Sequence, residues 1–140
     1  EGRGGNIGLL HGDDGILLVD DQYDPLTNKI TDAIKQLSHQ PVRYIINTHM
    51  HPDHTGGNEN FGRLGAMIVG HENVRSQMIK AGYNQTPPFV TFSEDVTFYI
   101  NNEDVHAFKV PNAHTNNDSF IKFISFWLNL SSEFLFISKL

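Results

Sequence analysis

The chain has no cysteine, so it can form no disulfide and can offer a metal no thiolate. Any metal it holds must be bound by imidazole and carboxylate, donors that suit zinc, iron or manganese better than copper(I). Positive charge is also scarce. Ten Lys and Arg against sixteen Asp and Glu leave a formal net charge of −6, without the basic footprint expected for nucleic acid or an anionic membrane surface. Uninterrupted apolar runs are missing too. The most apolar stretch, 123–140, has 11 Phe, Trp, Leu or Ile among its 18 residues, but Asn129, the serines and Glu133 break it, which makes it a poor membrane span. Neither repeats nor low-complexity segments occur. At 140 residues with 39% hydrophobic content, one domain over 1–140 with one core is expected.

What the chain does have is histidine, concentrated in one place. His49-Met50-His51-Pro52-Asp53-His54 packs three imidazoles and a carboxylate into six positions. A helix that carries two zinc-binding histidines needs them at i and i+4. His49 and His51 are two apart, the spacing that brings side chains to one side of an extended segment. Pro52 argues against helix here, because it disfavours the α conformation at His51. The apolar run Val42-Arg43-Tyr44-Ile45-Ile46-Asn47 precedes the cluster and Thr55-Gly56-Gly57 follows it. That context predicts a loop at the C-terminal end of a strand, where α/β sheets place their ligands. The competing reading is a solvated, histidine-rich turn.

Periodicity supplies the surrounding elements. Ile7 to His11 and Ile16 to Asp20 read as strands joined by a Gly12-Asp13-Asp14-Gly15 turn. Asp24-Pro25 reads as a helix start with a capping aspartate, and Leu26, Ile30, Ala33, Ile34 and Leu37 give that helix an apolar face. A strand from Arg43 delivers the histidine loop. Asn58 to Phe61 reads as a short helical turn and Ala66 to Val69 as a strand. Glu72 to Ala81 reads as a helix with Val74 and Met78 inward, ended by Gly82 and Pro87-Pro88. Four further strands are expected at Val90 to Phe92, Val96 to Ile100, Val105 to Val110 and Ser119 to Phe123.

The signature His-x-His-x-Asp-His at a strand end resembles that of the metallo-β-lactamase superfamily. The resemblance extends over residues 1–123. It runs from Gly4-Gly5-Asn6-Ile7-Gly8 and the Asp13 to Asp21 hairpin, through Thr55-Gly56-Gly57-Asn58-Glu59-Asn60-Phe61, to Ala113-His114-Thr115-Asn116-Asn117-Asp118-Ser119. It is similar to bacterial hydrolases of this fold, and to class B3-like members in having a histidine after the aspartate. It implies an α/β fold, the αββα sandwich of that superfamily, here essentially its N-terminal half. It also implies a first metal held by His49, His51 and His114. Three neutral nitrogens leave one tetrahedral position open for water, the arrangement of a catalytic zinc. Asp53 and His54 would serve a second metal, so the expected cofactor is one or two zinc ions, with iron or manganese as alternatives.

The activity implied is metal-assisted hydrolysis of a small-molecule ester, lactone, thioester or β-lactam, in which hydroxide is generated at the metal and Asp53 shuttles its proton. A metal-binding chain with little or no turnover is the alternative, and an interaction module on the same scaffold is a third reading. Relatives that open in this way are often exported, so a periplasmic or secreted location is expected, with the cytoplasm as the alternative.

After Phe123 the sequence departs from the family pattern. The later Gly-Asp motif that supplies a bridging carboxylate is missing, and no histidine follows His114. Glu133 is a candidate substitute ligand or else a strand-surface charge. The tail's alternating stretches read as strands that want covering, as in a truncated or frameshifted gene, with a divergent but intact family member as the alternative. Two copies that complete one another's sandwich would form a homodimer. Among the remaining residues, His11, His39, His71 and His106 read as surface or packing histidines, with His71 also a candidate pocket residue. Asp20 and Asp118 are candidates to hydrogen-bond ligand imidazoles. Ser119 is a poor nucleophile without a separate His and Asp to activate it. The turn from Gly12 to Gly15 is a candidate substrate flap.

Overall fold

The computed structural model describes residues 5–111, 113–124 and, as backbone, 133–137. Strands β1 (Ile7–Gly12) and β2 (Gly15–Val19) form an antiparallel hairpin, and helix α1 (Thr27–Leu37) crosses to β3 (Val42–Asn47). One-turn helix α2 (Pro52–Thr55) and α3 (Asn58–Arg63) precede β4 (Met67–His71). Helix α4 (Glu72–Ala81) then leads to β5 (Val90–Phe92). Strands β6 (Asp95–Ile100), β7 (Glu103–Lys109) and β8 (Ser119–Phe123) follow, and β9 (Glu133–Ile137) closes the order.

These strands make two sheets. One runs β5-β4-β3-β2-β1-β9 and the other β6-β7-β8. Strands β2 to β5 are parallel, whereas β1 is antiparallel to both β2 and β9. Doublets such as Leu9-Leu10, Leu17-Leu18 and Ile45-Ile46 show why so few charges interrupt these strands. Leu9, Leu18 and Ile45 face the helices with Ile30, Ile34 and Phe61. Leu10, Leu17 and Ile46 face the second sheet with Ile100, Val105 and Ala107. A sheet covered on both faces needs apolar residues at consecutive positions, not alternate ones. The tail expectation holds where the chain is described: β9 is a strand, paired along β1.

Three local expectations are corrected. Asp24 opens a 3-10 turn without capping it by its side chain; its carboxylate instead accepts a hydrogen bond from Asn60 Nδ2 at 2.5 Å. Leu37, the last residue of α1, is 42% exposed, so the apolar face of that helix is buried at Ile30 and Ile34 and not at its end. Pro52 keeps His51 extended, at φ −65° and ψ 147°, yet itself begins the one-turn helix that carries Asp53 and His54. Proline disfavours helix before itself and suits the first helical position.

Candidate metal centre

Chain direction decides where the site lies. Parallel β2 and β3 end side by side, Val19 opposite Ile46, and both chains turn there. Asp20 takes a left-handed φ of 63° and Gln22 one of 64°, conformations that cost a non-glycine residue on the order of 1 kcal/mol or more. The turn aims Asp20 at the loop leaving β3. Its Oδ1 accepts from the Thr48 backbone N–H at 2.8 Å, and its Oδ2 accepts from Thr48 Oγ1 at 2.8 Å and faces His54 Nδ1 at 2.7 Å. One carboxylate thus holds both ends of the histidine loop, Thr48 and His54.

The imidazoles converge above it. Ligand atoms of His49, His51 and His114 all lie within 4.8 Å of one another. His51 Nδ1 and His114 Nε2 are 3.2 Å apart. Two nitrogens bound to one tetrahedral ion at the usual 2.0–2.1 Å would be about 3.3 Å apart, so this pair already has the spacing of co-ligands. His49 is oriented by a proton relay. Thr48 Oγ1 donates its single proton to Asp20 Oδ2, so its 3.1 Å contact with His49 Nδ1 must have the imidazole as donor. That leaves the Nε2 lone pair of His49 free for a metal. Burial first, then the neighbouring charges of His54 and His51, lower the His49 pKa to about 4, against the opposing pull of Asp20 and Asp118. A neutral ring at physiological pH is the form that ligates. The donors fit a divalent ion.

Asp53 and His54 stand beside this triad, outside the three-nitrogen group. His54 Nε2 is 3.4 Å from Asp53 Oδ2, and the His54 ring centroid is 4.0 Å from that of His49. Burial pulls the His54 pKa down, but the hydrogen bond and charge of Asp20, with Asp53 adding, carry it above 6.5. Asp21, one residue on, is fully buried. Burial raises its pKa well above the usual carboxylate range, Asp20 adds to this, and the Gly57 N–H bond to its Oδ1 opposes it. Beneath the loop the amides of Asn47 and Asn58 bond each other reciprocally, and Asn47 Nδ2 also donates to the His54 carbonyl.

Other candidates fall elsewhere. Glu133 pairs with His11 across β1 and β9, at the sheet end away from the histidines, so the register does not bring it to the place of a bridging carboxylate. The Gly12 to Gly15 turn lies at that same far end. There Asp14 and Asn101 exchange backbone-to-side-chain hydrogen bonds of 2.9 and 2.7 Å, so the turn is pinned to the second sheet and is no flap. His71 is the N-cap of α4: its Nδ1 accepts from Asn73 N–H and its Nε2 donates to the Ser93 carbonyl, which spends both nitrogens. His106 pairs with Asp95 at 2.9 Å, and His39 is exposed in the loop after α1. Asp118 accepts from the Thr115 backbone N–H and so shapes the His114 loop. Among the described residues, Ser119 Oγ is buried without a hydrogen-bond partner. Sequence reasoning passed over Thr48 and Asn117; only the position of Thr48, next to His49, was a signal.

Comparison with known proteins identifies the family and the fold. The profile of the metallo-beta-lactamase superfamily matches residues 1–117. A metallo-beta-lactamase from Pontibacter korlensis superposes with a TM-score of 0.73 at 27% identity, covering 82% of this chain and 53% of that one. BJP-1, a subclass B3 metallo-beta-lactamase of Bradyrhizobium japonicum, shares the fold with a TM-score of 0.72 at 21% identity, covering 84% and 49%. Among curated proteins, a coenzyme F420H(2) oxidase of Methanothermobacter marburgensis is 38% identical over 55 residues, which are 36% of this chain and 14% of that protein. The chain thus spans about half the length of the solved relatives and a smaller share of the oxidase. With the family profile covering most of its length, the chain belongs to the metallo-beta-lactamase superfamily.

Proposed function

We propose that this chain is a metal-dependent hydrolase, with zinc as its metal, that cleaves an ester, lactone, thioester or β-lactam amide bond. The convergence of three imidazoles, His49, His51 and His114, at the C-terminal end of a parallel sheet carries this reading. A bound divalent ion there would supply Lewis acidity and bring the pKa of water to about 7. The chain's own residues do the rest. Asp20, through Thr48, keeps His49 in the tautomer with a free Nε2. Asp53, with a side chain 28% exposed beside His54, would accept the water's proton and return it to the leaving group. Asp53 and His54 would supply two donors to a second ion.

Hydrolysis of a chromogenic lactam and of a simple aryl ester tests the reading, with the His114→Ala chain as the control. Turnover that a chelator and His114→Ala both abolish supports it. Metal bound without turnover in either assay would favour a metal-binding chain of little activity. Iron in place of zinc would turn attention to redox chemistry, as the name of the curated oxidase suggests for that protein.

A second copy of the chain is the proposed partner. Alternation sets Val105, Ala107 and Ile121 toward the core, so Tyr99, Phe108 and Phe120 fall on the outer face of the second sheet, where Tyr99 is 79% and Phe120 56% exposed. Exposed aromatic side chains gathered on one sheet face are the kind of surface that marks an interaction site. The proposed location is the periplasm or the exterior.

A further inference from the structure

The three imidazoles stand on two separate sheets. His49 and His51 leave β3 of the larger sheet, whereas His114 lies between β7 and β8 of the smaller one. No strand ladder fixes the distance between them. Core packing between sheets sets that distance loosely on the scale of a 2 Å coordination bond, and metal sites need ligands held to a fraction of an ångström.

Two hydrogen bonds tie the loops together. The Ser119 backbone N–H donates to the Thr48 carbonyl at 2.8 Å. The Met50 backbone N–H, between His49 and His51, donates to Asn117 Oδ1 at 3.1 Å. Asn117 is 1% exposed, although His114, three residues earlier, is exposed. Its own backbone N–H donates to Thr115 Oγ1 at 3.1 Å, and its Nδ2 donates to Asn116 Oδ1 at 3.3 Å. A short bonded path therefore runs from Met50 through Asn117 and Thr115 to His114. A polar side chain fully buried in a loop where His114 and Asn116 are exposed and Thr115 and Asp118 half-buried, with its oxygen spent on the middle of the opposite ligand pair, has a specific task.

We propose that Asn117 is the positioning residue of the metal centre: its carboxamide oxygen clasps Met50 and sets how far the His114 imidazole stands from His49 and His51. The inference rests on the metal-site reading above. Replacing Asn117 with an apolar residue of similar size leaves the Met50 N–H unsatisfied and frees the two loops to separate. Restoring an oxygen at the same place restores the clasp.

The test is cobalt(II) affinity of the metal-free chain, measured by chelator competition and by the visible ligand-field spectrum. The variants are Asn117→Leu, Asn117→Asp and His114→Ala. The clasp predicts that Asn117→Leu weakens cobalt binding by about 10–100-fold, the usual cost of losing a group that orients ligands, and alters the spectrum. Asn117→Asp, which keeps the accepting oxygen, stays close to wild type in affinity. Should the leucine chain fail to fold, Asn117→Ser, too short to reach Met50, carries the same expectation. Affinity lost in His114→Ala but unchanged in both Asn117→Leu and Asn117→Ser would overturn the clasp and leave the metal site standing. Equal affinity in all the chains would overturn both.

Discussion

Asp20 raises the pKa of both His49 and His54, yet the two end on opposite sides of the ordinary histidine value. Burial and neighbouring imidazoles lower His49 to about 4, whereas the bond to Asp20 lifts His54 above 6.5. In the metal-free chain, proton NMR of the ring carbons should therefore show His54 titrating at higher pH than His49; the reverse order would contradict the geometry. The sign for stability follows. The unfolded chain protonates His49 near 6.5 and the folded chain near 4, so His49 withdraws stability as pH falls through that window. His54, raised in the fold, adds stability at low pH that is lost as pH rises through its folded value. Asp20→Asn removes the charge from this arrangement while keeping its shape. It should cost metal affinity by about 10–100-fold, read by chelator competition, and should lower the His54 midpoint; an unchanged midpoint would remove Asp20 from its role.

Elements aim these residues, and much of their layout was legible beforehand. Helix α4 begins and ends where its apolar spacing and Gly82 predicted, with the glycine at a φ of 65°. The histidines at positions 49 and 51 stood out because two donors two apart on extended chain need no tertiary knowledge. Chain direction at the hairpin was harder to read. The turn from Gly12 to Gly15 has the composition of any mobile turn, and only the pairing of β2 with β3 shows that it lies opposite the site. Asn117 was invisible for a similar reason: its partner, the Met50 N–H, is 67 residues away. The one-turn helix α2 also depends on close approach. A Cβ at Gly56 would lie 2.7 Å from both the Gln22 and Pro52 carbonyl oxygens. Gly56→Ala is thus an overpacking substitution and should destabilise the chain by about 1–3 kcal/mol, measured by urea unfolding. No loss would mean that this backbone yields more easily than the packing implies.

At the scale of the molecule, the site is where two sheets meet. One sheet contributes His49 and His51 and the other contributes His114, and the apolar layer between them, from Leu10 to Ala107, is the common foundation. Ile46→Ala opens a cavity in that layer and should cost about 2–5 kcal/mol in the same unfolding assay. The outer aromatic face of the smaller sheet belongs to this scale as well. If a second copy covers it, sedimentation of the full chain gives a dimer, and Tyr99→Lys with Phe120→Lys gives a monomer; a wild-type monomer would remove the partner.

If three imidazoles from two sheets form one metal site, plasma mass spectrometry of the wild-type and His114→Ala chains reads it as metal content. About one tightly held divalent ion per chain in the wild type, lost in His114→Ala, is the predicted result for a three-histidine centre. A folded wild-type chain without metal, or equal content in the two chains, would contradict it.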